Sequence, residues 1–244
     1  MMYQLARLLA TVEQLKQQRG SLSLVRDVIK LDQMPARQVI LRCDVERALD
    51  HHLVVARELA QQHMPATMYF HTRRACFDPD ILKAIQDLGH EVGYHHECLD
   101  RCQGDAAKAR ELFLREVDLF RQHGLDLRTV CAHGEAGLPK QGYRTNWELF
   151  HAYPDLIEQA GLDGEVYLWL QGQDLLYTSD VFVSYRRFWE IIDEAKQSDK
   201  PLMILTHLHR WHHRSAPTMV EIYRDLQQQA KNRILRRRTY DLAY

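Results

Sequence analysis

Two carboxylates, Asp44 and Glu46, close the apolar run Val39-Ile40-Leu41-Arg42-Cys43. Residues 39–41 read as a buried strand, so two acids are delivered to the point where a strand stops. A carboxylate beside a core needs a partner, because burying an unpaired charge is very costly. Candidate partners follow the other apolar runs: His71 after 66–70, His95, His96 and Glu97 after 91–94, His133 after 129–132, and His207 and His209 after 202–206. Carboxylate oxygen with imidazole nitrogen is a ligand set for Zn²⁺, and also for Mn²⁺, Fe²⁺ or Co²⁺. A divalent metal with an open position, a base to activate water and an acid to protonate the leaving group together give metal-assisted hydrolysis. Asp44, Glu46, His95 and His207 could fill those posts. One histidine at a strand end is usually structural, but five strand ends carrying ionisable groups point to a site. His51, His52, His63, His123, His151, His212 and His213 fall on helices or loops and read as structural.

The elements that would position these groups alternate along the chain. Leu5, Leu8, Leu9, Val12 and Leu15 lie at helical spacing, Gly20-Ser21 breaks the pattern, and a second short amphipathic stretch runs to Lys30. Period-two or continuous apolar runs then predict strands over 39–43, 66–70, 91–94, 129–132, 166–170, 175–178 and 202–206. Helical patterns occupy 49–63, 80–88, 105–123, 146–150, 154–159, 188–196 and 219–236, and 134–145 reads as a polar loop. Strands alternating with helices predict an α/β fold with a mostly parallel sheet. About seven strands in roughly 200 residues favour a small, irregular (β/α) barrel over an open sheet with two domains. The division expected is an N-terminal helical extension over 1–37 and a barrel domain over 38–244. In either a sheet or a barrel of parallel strands, the strand C-termini are where catalytic groups gather.

Composition narrows the function classes. A hydrophobic fraction of 45% can build a core, and a net charge of −1 from 32 basic and 33 acidic residues leaves no footprint for nucleic acid or an anionic membrane. The one basic cluster, Arg233, Arg236, Arg237 and Arg238, reads as the solvated face of the last helix. No apolar run is long enough to span a bilayer. Cys98 and Cys102 sit one helical turn apart, a spacing that suits neither a zinc knuckle nor a redox pair, so the five cysteines read as reduced and packed. Arg7, Glu13 and Lys16 interrupt the apolar residues near the start, unlike a secretory signal, and a cytoplasmic location is expected.

Across roughly residues 38–210 the chain resembles the polysaccharide deacetylase superfamily, the NodB-homology fold. The segment Val39-Ile40-Leu41-Arg42-Cys43-Asp44-Val45-Glu46 is similar to that family's first motif. Gly89-His90-Glu91-Val92-Gly93-Tyr94-His95 is similar to its second, Ile204-Leu205-Thr206-His207 to its last, and Ala66-Thr67-Met68-Tyr69-Phe70 to its second strand. The resemblance implies a NodB-like deformed barrel that hydrolyses N- or O-acetyl groups on carbohydrate. It also implies roles: Asp44 as base, Glu46 and His95 as metal ligands, Glu97 or His133 as the third ligand, and His207 as general acid. Zinc is the expected metal, with manganese, iron or cobalt as alternatives.

Three departures mark an atypical, deacetylase-like branch. Leu99 stands four residues after His95, where the family carries a second ligand histidine; His96 or Glu97 could substitute. Glu46 replaces the usual aspartate. Cys131-Ala132-His133-Gly134 replaces a motif that normally holds an arginine and a proline. Two other readings compete. One is a catalytically eroded carbohydrate-binding module, with Trp169, Trp189, Trp211, Tyr177 and Tyr185 as a sugar-stacking surface. The other is a different barrel metallohydrolase acting on phosphate esters or cyclic amides; those often open with His-x-His on the first strand, whereas His207 and His209 lie after the last. A cytoplasmic enzyme would meet precursors: sugar nucleotides, lipid-linked saccharides or small amides, as in surface-polysaccharide biosynthesis.

Overall fold

The computed structural model describes residues 3–20, 22–73, 75–134 and 142–212. The closing helix expected over 219–236, the arginine cluster and most of the loop over 134–145 lie outside the described residues. Seven strands form one sheet: β1 (Val39–Val45), β2 (Thr67–Phe70), β3 (Glu91–His96), β4 (Thr129–Ala132), β5 (Gly164–Glu165), β6 (Leu176–Ser179) and β7 (Leu202–Thr206). Their order is β5-β4-β3-β2-β1-β7-β6, and every neighbouring pair is parallel. The sheet curls into a half-barrel, an α/β architecture in agreement with the barrel expected from the sequence. All seven C-terminal ends therefore lie on one rim. The chain steps outward from β1 through β5 and then returns to the other side of β1, which places Asp44 beside the point where the strand order reverses.

Alternation along the strands sorts side chains into two layers, because successive Cβ atoms point to opposite faces. Val39, Leu41, Cys43 and Val45 join Met68, Phe70, Val92, Tyr94, Val130, Leu202 and Ile204 in the outer core. Ile40, Tyr69, Cys131 and Met203 pack together inside the curl. The outer layer is covered by α1 (Leu5–Arg19), α2 (Leu49–Gln61), α3 (Pro79–Asp87), α4 (Ala106–Gln122) and α5 (Tyr185–Lys196). Leu5, Leu8, Val12 and Leu15 of α1 are fully buried. Arg19 ties α1 to the end of α5 through the carbonyls of Ala195, Ser198 and Lys200.

Val25, Val28, Ile29 and Met34 close the bottom of the inner layer. The Val25 N–H donates to Thr67 Oγ1 at 2.9 Å and the Arg26 N–H to Glu91 Oε2 at 3.0 Å. Gly93 makes the inner layer possible, since a Cβ there would collide with the Tyr69 ring and come within 3.1 Å of the Thr129 carbonyl.

One expected strand is a helix. Val166–Leu170 forms a short helix whose N-terminus is capped by the Glu165 carboxylate, which accepts the Leu168 N–H; the strand is Gly164–Glu165 just before it. A five-residue apolar run fits either state by periodicity alone. Two other strands are longer than expected, so Asp44, His95 and His96 belong to strands rather than to the loops that follow. No described helix is long and apolar enough to cross a membrane.

Candidate functional site

The inner-face alternation carries the chemistry. Arg42 and Asp44 share the inward face of β1 with Ile40. Both are buried, and Arg42 grips Asp44 through Nε–Oδ1 at 2.9 Å and Nη2–Oδ2 at 2.7 Å. Burial opposes the charge on Asp44, but Arg42 and then His95 outweigh it and hold the carboxyl below its ordinary range. Arg42 Nη2 also reaches Tyr167 Oη at 3.2 Å and Cys131 Sγ at 2.6 Å, so the guanidinium is fixed between β1 and β4.

His95, on the inward face of β3, lies with Nε2 3.5 Å from Asp44 Oδ2. Its Nδ1 is 3.0 Å from the Cys131 carbonyl, which can only accept, so Nδ1 carries the hydrogen and Nε2 the lone pair. Burial pushes its pKa down to about 4, against the pull of Asp44, and keeps the ring neutral. His71 and His133 complete a triangle of rings, with centroids 4.6, 4.7 and 5.0 Å apart. One ring nitrogen of each lies within 4.8 Å of the others.

Carboxylates frame this triangle. Glu97 Oε2 is 3.4 Å from His133 Nδ1, and its Oε1 is paired with Arg73 Nε at 3.2 Å. Burial raises the Glu97 carboxyl, but Arg73 and His133 override it and bring it to about 2. His133 Nε2 is 3.4 Å from Glu46 Oε1. Burial opposes a charge on His133, yet Glu46 and Glu97 together lift its pKa to about 9. Glu46 in turn lies well below its ordinary value: burial opposes its charge, and His133 more than compensates.

His207 follows β7 on the same rim, with Nε2 3.7 Å from Glu46 Oε1. Its Nδ1–H donates to Asp180 Oδ1 at 2.7 Å, and its backbone N–H donates to Oδ2 at 2.8 Å. Trp211 Nε1–H also donates to Oδ2, at 2.8 Å. Burial lowers the pKa of His207, but Asp180 and Asp44 reverse that and raise it. Asp44, Glu46, His95, His133 and His207 line one cleft of about 170 Å³, walled further by Tyr167, Leu205, His209, Arg210 and the apolar lip Val181-Phe182.

The fold thus brings Asp44, Glu46, His95, His133 and His207 to one cleft, with Glu97 behind it. It does not bring His96, which the sequence offers as a substitute ligand. His96 points to the outer face, against Phe113 at 5.5 Å and Phe150 at 5.3 Å, because adjacent strand residues face opposite ways. Leu99 is buried in the outer core and offers no donor. Trp189 and Trp211 pack with Tyr3, Tyr185 and Phe188 rather than in the cleft. Trp169 donates to the Leu31 carbonyl. Among the described residues, Tyr167 and Phe182 are the tyrosine and phenylalanine at the cleft, and Phe182 is 64% exposed. Sequence reading missed Arg42, Arg73 and Asp180. Arg42 had a signal, since it shares the strand parity of Asp44, and Asp180 lies two residues after the strand expected over 175–178.

No family model matches this chain, and no curated protein matches it. Solved structures similar to it include a mutant of a CE4 family pseudoenzyme with restored enzymatic activity (11% identity, TM-score 0.46, 71% of this chain and 60% of the other). They also include a wild-type CE4 family pseudoenzyme from Bacillus anthracis (10% identity, TM-score 0.45, 71% and 58%). The chain spans about three fifths of the length of each.

Proposed function

We propose that this protein is a metal-dependent hydrolase that removes N- or O-acetyl groups from a saccharide or saccharide precursor. The observation that carries this reading is the pairing of Asp44 and His207 across one cleft, each with its own buried counter-group, Arg42 and Asp180. The donor set fits a divalent ion: neutral His95, Glu46 on the cleft wall, Glu97 behind, and His133, which would give up a proton to bind. Zinc suits imidazole-rich sites best, and manganese, iron or cobalt are alternatives. When bound, the ion supplies Lewis-acid polarisation of the scissile carbonyl.

The residues supply the proton traffic. Arg42 keeps Asp44 ionised, so Oδ2 accepts the proton of the attacking water. Asp180 keeps hydrogen on His207 Nδ1 and favours the imidazolium, so Nε2–H donates to the departing amine or alcohol. Each such step typically contributes about 10²–10⁴-fold. All five cysteines are free thiols, in keeping with a proposed cytoplasmic location.

The test is acetate release from N- and O-acetylated oligosaccharides by Asp44→Asn and His207→Gln, with circular dichroism confirming the fold. Turnover is expected to fall by about 10²–10⁴-fold in each. Retention of most activity in both folded variants removes the assignment. Burial of Leu99 favours a second reading, a catalytically eroded saccharide-binding module. It requires sugar affinity that a chelator leaves unchanged.

A further inference from the structure

We propose that His71 supplies the third nitrogen of the metal centre, so that the ion is held by Nε2 of His71, His95 and His133, with Glu97 behind the ligands rather than on the ion. This rests on the metal-dependent reading above, and it moves Glu97 from ligand to positioning residue.

The contacts of His95 and His71 mark Nε2 as the nitrogen with the lone pair, and His133 stands between two carboxylates, one 3.4 Å from each of its nitrogens. Histidines that bind metal almost always point their other nitrogen at a carboxylate or backbone carbonyl. Here His95 Nδ1 faces the Cys131 carbonyl at 3.0 Å, His133 Nδ1 faces Glu97 Oε2 at 3.4 Å, and His71 Nδ1 lies 4.0 Å from the same oxygen. For His71 the lone pair is located directly: Arg73 Nη2, which can only donate, lies 2.9 Å from Nε2. That lone pair is engaged by Arg73, so an ion takes it only by displacing the guanidinium from Nε2.

Charge is arranged to match. His95 Nε2 faces Asp44 Oδ2 at 3.5 Å, and His133 Nε2 faces Glu46 Oε1 at 3.4 Å, so two carboxylates flank the space that the donors enclose. All three rings are buried, His71 at 1% exposure. Two nitrogens on one tetrahedral zinc are roughly 3.3 Å apart, from bonds of about 2.0–2.1 Å. A triangle with nitrogens within 4.8 Å of one another closes onto an ion by shifts of about an ångström. Glu97 has both oxygens engaged, Oε1 by Arg73 Nε at 3.2 Å and Oε2 by His133 Nδ1 at 3.4 Å.

The test uses the full chain, loaded with Zn²⁺, dialysed, and measured by elemental analysis, with a competing chelator to rank affinities. Wild type is expected to retain one equivalent. His71→Ala is expected to lose at least 100-fold in affinity, whereas Glu97→Gln loses about 10–100-fold, as positioning partners of metal ligands do. A folded His71→Ala that binds zinc as tightly as wild type overturns the inference and leaves the hydrolase reading standing. Wild type that binds no zinc, manganese, iron or cobalt overturns the metal-dependent reading itself. Should His71→Ala fail to fold, His71→Gln takes its place: a loss of at least 100-fold in zinc affinity is expected, and wild-type affinity in the folded variant overturns the assignment.

Discussion

Arg42→Met tests how the inner layer of the half-barrel tolerates charge. Arg42 is fully buried and Asp44 is 2% exposed, and the pair is joined by hydrogen bonds of 2.9 and 2.7 Å. Methionine removes the cation but leaves the carboxylate in place without its counter-charge. Breaking a buried pair from one side costs about 3–5 kcal/mol, a large share of a total stability of roughly 5–15 kcal/mol. With a urea dependence near 3 kcal/mol/M, the unfolding midpoint should fall by roughly 1–2 M at pH 7. The double variant Arg42→Met/Asp44→Asn removes both charges and should recover more than half of the loss, giving a large coupling energy.

Acidification supplies the second arm. Asp44 has its folded-state carboxyl lowered by Arg42, so the stability it contributes is present above the unfolded value of about 3.9 and lost as pH falls through the folded one. In Arg42→Met, burial raises that carboxyl instead, and protonation on acidification relieves the variant. The gap between the two proteins should therefore narrow as pH drops from 7 towards 4. A variant within 1 kcal/mol of wild type at pH 7, or a gap that does not change with pH, refutes the reasoning.

Two further outcomes follow from the geometry. Asp180→Asn removes the group that raises the His207 pKa, so the alkaline limb of the pH profile of kcat/KM should move to lower pH; an unmoved limb separates His207 from acid catalysis. The stability that Asp180 lends through His207 is fully present below the unfolded histidine value of about 6.5 and fades as pH rises through the folded one, so urea midpoints of wild type and Asp180→Asn should converge in alkali. His96→Leu should leave metal content unchanged and raise stability by about 1 kcal/mol. Among the described residues neither His96 ring nitrogen has a hydrogen-bond partner, and an apolar side chain removes that cost. Loss of metal in His96→Leu would place it in the site after all.

Much of the site was legible because parallel strands collect their C-terminal residues on one rim, so a chain that repeats an ionisable group after each apolar run reveals where those groups meet. The convergence of Asp44, Glu46, His95, His133 and His207 on one cleft is legible in that way. His96 was not resolved, because a strand ending taken at Tyr94 hides the alternation that turns His95 inward and His96 outward. The helix Val166–Leu170 was misread because a continuous apolar run has no period to distinguish strand from helix; its cap is a side-chain hydrogen bond from the residue before it.

The sequence by itself determined the residue types, their order and the parity that puts Arg42, Asp44, Tyr69, His71, Gly93, His95, Cys131 and His133 on one face, since strand alternation is a local property of the backbone. Only the tertiary structure decided which acid meets which base. Arg42 is two residues from Asp44, but Glu97 meets Arg73 and His133, which follow strands β2 and β4, and Asp180 meets His207 because β6 pairs with β7 in the register Ser179 to Leu205. Those distances depend on strand register and the curl of the sheet, which arise from packing between segments far apart in the chain and leave no mark on the spacing along it.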